Sequence, residues 1–205
     1  FPDEMRHKLM DHNYLEMHHL QARVPLEWRQ KFYPNEEEER EANKFRNKLK
    51  PFFVALVPSG SSVSKLWPYA HDFARRLVER GDVSVVVLGD QREMHFDRHP
   101  DIHVIGMTWN IRRAMTFMQL ADVAVGQETG LINCVAFNED VKKVVLMSHS
   151  TKENLTRDWP NTATMIGNTT CGPCHRLHYN WDFCHQDKFT KAAAMLEPLV
   201  SGGSQ

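Results

Sequence analysis

Short apolar runs alternate with amphipathic helical stretches from residue 52 onward, and this alternation constrains the fold more than any other feature of the chain. The runs Phe52–Val57 and Val83–Leu88 are apolar almost throughout, which is typical of strands buried on both faces of a sheet. Between them a helix is predicted from Pro68 to Gly81, because its apolar residues are spaced three and four apart. Strands that alternate with helices imply right-handed crossovers and a parallel sheet that helices cover on both faces.

The same pattern continues along the rest of the chain. Further strands are predicted at 102–106, 123–125, 144–147 and 164–166, and further helices at 111–120, 131–137 and 188–200. The sequence therefore predicts an α/β domain over residues 51–205, with a doubly wound, Rossmann-like parallel sheet. In folds of this kind, ligands bind beyond the carboxyl ends of the strands.

Residues 1–50 have a different composition, with many charged residues and few β-branched ones. A helix is predicted to begin after Asn35, because the acidic run that follows places carboxylates at the positive end of the helix dipole. The basic stretch 46–50 closes that helix before Pro51. We interpret the acidic run as a solvated helix face and residues 1–50 as a helical extension or linker.

Composition excludes several classes of protein. The chain has 205 residues, of which 41% are hydrophobic, and its formal net charge is −1, so neither a disordered tail nor nucleic-acid binding through bulk charge is expected. The longest apolar runs are too short to span a bilayer. Because no signal peptide follows Phe1, the expected location is cytoplasmic, and Phe1 is expected to be an internal start of a processed chain or a fragment.

The turn after the first predicted strand contains small hydroxyl residues and one lysine. Ser59, Ser61, Ser62 and Lys65 precede a helix, and backbone N–H groups, hydroxyls and an ammonium group in such a turn suit a phosphate. The spacing differs from that of a P-loop. Composition alone leaves a polar turn with a solvated lysine as the alternative.

A second turn, after the strand at 123–125, has a similar position. Glu128 lies at a predicted helix start, where the helix dipole favours a carboxylate whether or not it binds a ligand. Thr129 and Gly130 offer backbone N–H groups to which a ligand could come close. Further along, His149 and Lys152 lie in a loop that borders the same cleft, and there a solvated loop is favoured over substrate contact.

Taken together, these turns resemble those of a known family. The matching segments, in order, are Ser59 to Ser62, Lys65-Leu66-Trp67-Pro68, Gly89-Asp90 with Glu93, Gly106-Met107-Thr108-Trp109, and Glu128-Thr129-Gly130-Leu131-Ile132-Asn133. This sequence of motifs, over about residues 52 to 170, resembles the C-terminal, donor-binding half of the heptosyltransferases (glycosyltransferase family 9, GT-B architecture).

The resemblance implies roles for individual residues. Ser59, Ser61, Ser62 and Lys65 would meet the diphosphate of a nucleotide sugar, Glu93 the ribose and Met107 the base, while Glu128, Thr129, Gly130 and Asn133 would hold the phosphates and the sugar. Two residues depart from the family pattern. Glu128 stands where aspartate is usual and Asn133 where histidine is usual, so the donor is not assumed to be ADP-heptose.

The function implied by the resemblance is transfer of a sugar from a nucleotide-diphosphate sugar to a hydroxyl acceptor, such as a glycan. In the family the general base lies in an N-terminal acceptor domain, which residues 1–50 are too few to form, so no catalytic base is assigned. That missing domain is an expected partner. The alternatives are a nucleotide-binding module without turnover and an interaction module that docks a partner.

A cluster of cysteine and histidine residues marks the segment 170–185. Cys171, Cys174 and Cys184, with one of His175, His178 or His185, have the spacing of a structural zinc or iron site. The string Cys-Gly-Pro-Cys also matches a thioredoxin-type redox motif, and Cys-x-x-Cys-His matches a haem attachment motif, although neither context is present. Idle thiols are the remaining alternative. Cys134 is interpreted as a small apolar residue.

Overall fold

The computed structural model describes residues 12–89, 95–167 and 172–176, together with positions 5, 8 and 10. Its centre is a six-stranded, fully parallel sheet with the strand order β3-β2-β1-β4-β5-β6. The strands are β1 (Phe52–Val57), β2 (Val83–Leu88), β3 (Ile102–Gly106), β4 (Val123–Gln127), β5 (Lys142–Met147) and β6 (Thr162–Ile166). The order reverses between β1 and β4, as in doubly wound folds, so the predicted α/β class is confirmed.

Five α-helices and one short 3₁₀ turn are described. They are α1 (Tyr14–Ala22), α2 (Glu36–Arg46), the 3₁₀ turn Val63–Lys65, α3 (Ala70–Val78), α4 (Ile111–Met118) and α5 (Gly130–Asn133). The helix predicted at 188–200 lies outside the described residues. None of the described helices is long and apolar enough to cross a membrane.

The helix after β4 is much shorter than the predicted 131–137. Beyond Cys134, backbone N–H groups bond to the carbonyl three residues back, as in Val135 to Ile132 and Ala136 to Asn133, so the chain tightens into turns. The apolar spacing that suggested a helix is still satisfied, because Leu131, Ile132, Val135 and Ala136 are all buried.

The continuous apolar runs are explained by two hydrophobic clusters, one on each face of the sheet. Phe53, Ala55 and Val57 of β1 belong to one cluster, and Val54 and Leu56 belong to the other. Successive side chains of a strand point to opposite faces, so a strand with helices on both sides needs apolar residues at every position.

Helix α2 packs against the domain through its apolar residues. The Phe45 ring lies 5.0 Å from that of Trp109 and 5.4 Å from that of Phe117, edge to face in both cases. Asn35 and Glu38 form a capping box at the start of the helix. Glu38 also forms an ion pair with Arg112 of α4, so this residue of the acidic run is engaged and not merely solvated.

Candidate functional site at the carboxyl edge of the sheet

The site lies where β1 and β4 end, at the reversal in strand order. The two strands approach closely here, because a Cβ atom added to Gly126 would lie 2.4 Å from the carbonyl oxygen of Val57. Only glycine allows that approach. The turn after β1 and the turn after β4 therefore meet at one edge, as expected for neighbouring parallel strands.

The turn after β1 folds back towards β4. It is anchored by Trp67, which is fully buried and whose backbone N–H donates to the carbonyl of Pro58 at 2.8 Å. A Cβ atom on Gly60 would lie 2.7 Å from Thr129 Cγ2 and 2.8 Å from Lys65 Cδ. The hydroxyl-rich turn thus packs directly on Thr129, and Gly60 makes this contact possible.

Lys65 is a buried cation at the centre of the site. Its side chain Nζ donates to the backbone carbonyl oxygen of Glu128 at 2.7 Å, and the residue is 6% exposed. Burial lowers the pKa of Lys65, and the charge of Glu128 partly offsets that effect. An ammonium group has three N–H donors, and among the described residues this carbonyl is its one hydrogen-bond acceptor. N–H groups of the Lys65 ammonium therefore remain available for hydrogen bonds to a ligand.

Glu128 is also buried, at 4% exposure, but its carboxylate is fully engaged. It accepts hydrogen bonds from the backbone N–H groups of Ser148 and His149 at 3.0 and 2.8 Å, and from the hydroxyl groups of Ser148 and Ser150. Nδ1 of His149 forms an ion pair with the same carboxylate. Burial raises the pKa of Glu128, but the interactions with His149, Ser150 and Ser148 outweigh it and hold the pKa at about 2.

Beyond Glu128, several side chains line the same edge without internal partners. The Thr129 hydroxyl and the side-chain Oδ1 of Asn133 are buried and have no hydrogen-bond partner among the residues that the structure describes. Gly130 is exposed, and a Cβ atom there would meet open space. Buried polar atoms are normally paired, so these two atoms are candidates for ligand contact.

The predicted residues fall into three groups. Lys65, Glu128 and Thr129 come together, since Lys65 bonds to Glu128 and both Lys65 and Thr129 pack against Gly60. Ser62 lies in the same turn as Lys65, and Gly130 and Asn133 lie in the short helix that follows Thr129. Ser59 is half-buried and Ser61 is exposed in the same turn, and Met107 is 73% exposed at the end of β3, an edge strand. Glu93 lies outside the described residues, as does Asp90.

The expectation of a solvated loop at His149 is wrong. The His149 side chain is 13% exposed, because the loop after β5 wraps around the Glu128 carboxylate. Tyr14 of α1 is a residue that sequence reasoning missed altogether. Burial raises the pKa of its hydroxyl, as does the charge of Glu128, while a hydrogen bond with Ser150 opposes the shift. Tyr14 therefore lies close to Ser150 and Glu128.

The segment 172–176 also reaches this edge, since the backbone N–H of His175 donates to the carbonyl of His149 at 2.7 Å. Cys174 is half-buried, with Sγ 3.9 Å from the carbonyl oxygen of Arg176. Cys171, Cys184, His178 and His185 lie outside the described residues, so the zinc or iron site stays a prediction. Cys134 is buried, and burial raises its pKa to about 12. Its thiol therefore stays protonated and packs as a small apolar group.

The sequence matches no protein-family model and no curated protein. The solved structures that are similar to it include two glycosyltransferases. The ADP-heptose LPS heptosyltransferase II of E. coli is 16% identical with a TM-score of 0.57, over 86% of this chain and 55% of that one. A family 9 glycosyltransferase of Veillonella parvula is 12% identical with a TM-score of 0.54, over 72% of this chain and 46% of that one. The chain thus has a heptosyltransferase-like fold and spans about half the length of these structures.

Proposed function

We propose that this chain binds the nucleotide-diphosphate part of a sugar donor at the carboxyl edge of its sheet and forms the donor-binding half of a glycosyltransferase. The observation that carries the proposal is the buried Lys65 ammonium group, which donates one hydrogen bond to the backbone carbonyl oxygen of Glu128. A desolvated cation with spare donors is costly unless an anion completes its environment. A diphosphate supplies both the charge and the acceptors.

The surroundings of Lys65 support an extended phosphate ligand. Ser62 precedes the 3₁₀ turn and Ser64 lies within it, and their hydroxyl groups are 2.8 Å apart. Thr129 packs against Gly60 of the same loop from the β4 side. Hydroxyl and ammonium donors that converge from two strand ends suit the several oxygens of a diphosphate. The position is the reversal in strand order, where doubly wound folds bind their ligands.

In the proposed reaction the acceptor oxygen forms a bond to the sugar and gives its proton to a general base, while the bond between the sugar and the diphosphate breaks and the nucleoside diphosphate leaves with additional negative charge. Lys65 would stabilise that charge, which lowers the barrier because the ammonium group is already in place in a water-poor setting. We assign no general base to this chain.

Calorimetric titration with ADP, UDP and their glucose esters tests the proposal. Lys65→Met keeps the aliphatic stem and removes the charge, and we expect affinity to fall about 10- to 100-fold, the range for a charge-assisted hydrogen bond. Lys142→Met is the matched control, because Lys142 is exposed at the opposite, amino end of β5. Equal affinity of wild type and Lys65→Met, or no binding by wild type, would refute the assignment.

The alternative function is a nucleotide-binding module without turnover. A transfer assay on this chain alone, and on the chain combined with an acceptor domain, separates the two functions. For a donor-binding half we expect nucleotide-sugar binding without transfer by the chain alone, because the acceptor must be oriented against the donor by a second part of the enzyme. Transfer by the chain alone would show that a base lies within these residues.

A further inference from the structure

We propose that residues 188–200 of this chain cover one apolar face of its sheet, the face of β4, β5 and β6 on the side where α3 packs. We call this surface the β4–β6 face, and its partly exposed apolar residues are Val123, Val144, Ala163 and Met165. Coverage of this face does not require a bound nucleotide, so the inference is independent of the proposed function.

The helices that the structure describes cover only part of this side of the sheet. Helices α2, α4 and α5 contribute buried residues to the hydrophobic cluster on the opposite side, and within the described part of the chain α3 is the one helix that contributes to the cluster on this side. It lies over β2 and β3. A helix is about 10 Å wide and strands are about 4.8 Å apart, so α3 does not reach β5 and β6, which lie three and four strands away from β2.

The β4–β6 face is apolar and needs a covering layer. The strand register places Val125 beside Val144 and Leu146 beside Met165, and Val123 extends the apolar surface along β4. Parallel sheets occur with both faces covered, because their strands carry apolar side chains on both sides. A contiguous apolar face of this kind therefore marks a surface that another element or molecule covers.

The connections between the strands do not supply this cover. On this side, the connection from β1 to β2 contributes α3 and the connection from β2 to β3 contributes Phe96. The connections from β3 onward lie on the opposite side, where they contribute α4, α5 and Trp159. Right-handed crossovers that lead in opposite directions from the centre of a sheet lie on opposite sides of it. The cover must therefore come from a segment before β1 or after β6.

The described segments before β1 are engaged elsewhere. Helix α2 packs on the opposite side of the sheet, and α1 has no buried residue and is held to the loop after β5 by polar contacts. After β6, the segment 172–176 lies beside that same loop, since the N–H of His175 donates to the carbonyl of His149 at 2.7 Å. The chain therefore returns to the carboxyl edge of the sheet with residues 177–205 still to follow.

Residues 188–200 have the sequence pattern that such a cover requires. Their helix is a prediction from spacing, because they lie outside the described residues. On that helix Lys191 falls on one side, and the apolar residues, three and four apart, fall on the other: Phe189, Ala192, Ala193 and Leu196. A helix of this length is about 20 Å long, which matches strands of five or six residues at about 3.3 Å per residue. Residues 177–187 are sufficient to connect it to the carboxyl edge, since an extended residue spans about 3.3 Å.

Photo-crosslinking in the full chain tests the contact directly. Phe189→p-benzoylphenylalanine places a photoreactive ring on the apolar side of the segment, and Lys191→p-benzoylphenylalanine is the matched control on its other side. We expect irradiation to link the ring at position 189 to peptides that contain β5 or β6 of the same chain, as identified by digestion and mass spectrometry. The yield of these links should be several-fold lower from position 191.

Methionine oxidation measures the same contact from the side of the sheet. Met165 is half-buried, Met107 is 73% exposed and Met118 is fully buried, so they report on the β4–β6 face, on solvent and on global unfolding, respectively. We expect Leu196→Asp to raise the rate at which hydrogen peroxide oxidises Met165 several-fold, because a carboxylate is not buried against an apolar face. The rates at Met107 and Met118 should not change. Lys191→Asp is the control and should be oxidised like wild type.

Three results would overturn the proposal. Links from position 189 to a second chain would show that the β4–β6 face is an interface between copies. Links to other elements, without links to β5 or β6, would show that the segment packs elsewhere. An oxidation rate of Met165 that Leu196→Asp leaves unchanged would show that the segment does not cover the face. If Met118 is oxidised as well, the variant has unfolded, and the crosslinks from position 189 decide.

Discussion

Lys65 and Glu128 are both buried charges at the same edge of the sheet, yet their surroundings differ. Glu128 accepts hydrogen bonds from two backbone N–H groups and two hydroxyls and pairs with His149, whereas Lys65 makes one hydrogen bond among the described residues. A satisfied buried charge stabilises the fold, while an incompletely satisfied one is a candidate for ligand binding. The comparison indicates that of two neighbouring buried charges in one site, one can stabilise the fold while the other is available to bind a ligand.

The largest expected effect is on Glu128. Glu128→Ala should lower the free energy of unfolding by about 3–5 kcal/mol, because it leaves the donors of the loop after β5 buried without an acceptor. Urea denaturation followed by circular dichroism measures the change. A loss of unfolding free energy below about 1 kcal/mol would mean that the loop donors form other hydrogen bonds. Glu128 would then be no more important for stability than Lys65, contrary to the comparison.

The next largest effect on stability is expected at acid pH, where Glu128 becomes protonated. Its folded-state pKa is about 2, below the ordinary value of 4.5, so its contribution to stability is complete above pH 4.5 and is lost as pH falls towards 2. We expect a loss of about 3 kcal/mol over that window in wild type and a smaller loss in Glu128→Gln. The control is Glu38→Gln: Arg112 also holds the pKa of Glu38 at about 2, but this ion pair lies at the surface, where solvent screens it and its contribution to stability is small. That variant should follow the wild-type acid profile more closely.

For Lys65 the expected change in stability has the opposite sign. Lys65→Met should leave the free energy of unfolding unchanged or raise it by about 1 kcal/mol, because a buried cation with one acceptor is replaced by an apolar chain of similar length. The measurement is again urea denaturation, without nucleotide. Destabilisation by more than about 2 kcal/mol would show that Lys65 stabilises the fold, as Glu128 does, and would contradict the difference drawn between the two residues.

The smallest effect is expected at Thr129. Thr129→Val keeps the Cγ2 methyl group that packs against Gly60 and removes a hydroxyl without an internal partner among the described residues. We expect stability to change by less than about 1 kcal/mol, while nucleotide affinity falls by several-fold if the hydroxyl contacts the ligand. Thr129→Ser, which keeps the hydroxyl, should retain affinity and sharpen the distinction between packing and binding.

Much of the fold could be predicted because the sheet is buried on both faces. The bounds of β1, β2 and β3 match the predicted 52–57, 83–88 and 102–106. β1 and β2 are apolar almost throughout, and such a run has few alternatives to a buried strand, whereas β3 is an edge strand in which Val104 is exposed. Helix α1 was not predicted, because none of its residues is buried and it is held to the domain by polar contacts. Asn13 caps the helix, and the backbone of Tyr14 bonds to Asn154, which no apolar period reveals.

The site was predictable only in part, for a related reason. Strand order places the turns after β1 and β4 together, so Lys65 and Glu128 could be assigned to one edge from the sequence. The partners of a carboxylate are not encoded in a local pattern, however. That Glu128 is occupied by Ser148, His149 and Ser150 depends on how the loop after β5 folds back, which spacing along the chain does not specify.

The enclosure of the Glu128 carboxylate has a consequence for local motion. The amide protons of Ser148 and His149 lie in a loop, where exchange with solvent is normally fast, yet both are bound to a buried acceptor that follows β4. Releasing either proton requires opening the end of the sheet, so the two loop amides belong to the same cooperative unit as the central strands. In native-state hydrogen exchange they should be among the slowly exchanging amides, beside those of β4 and β5.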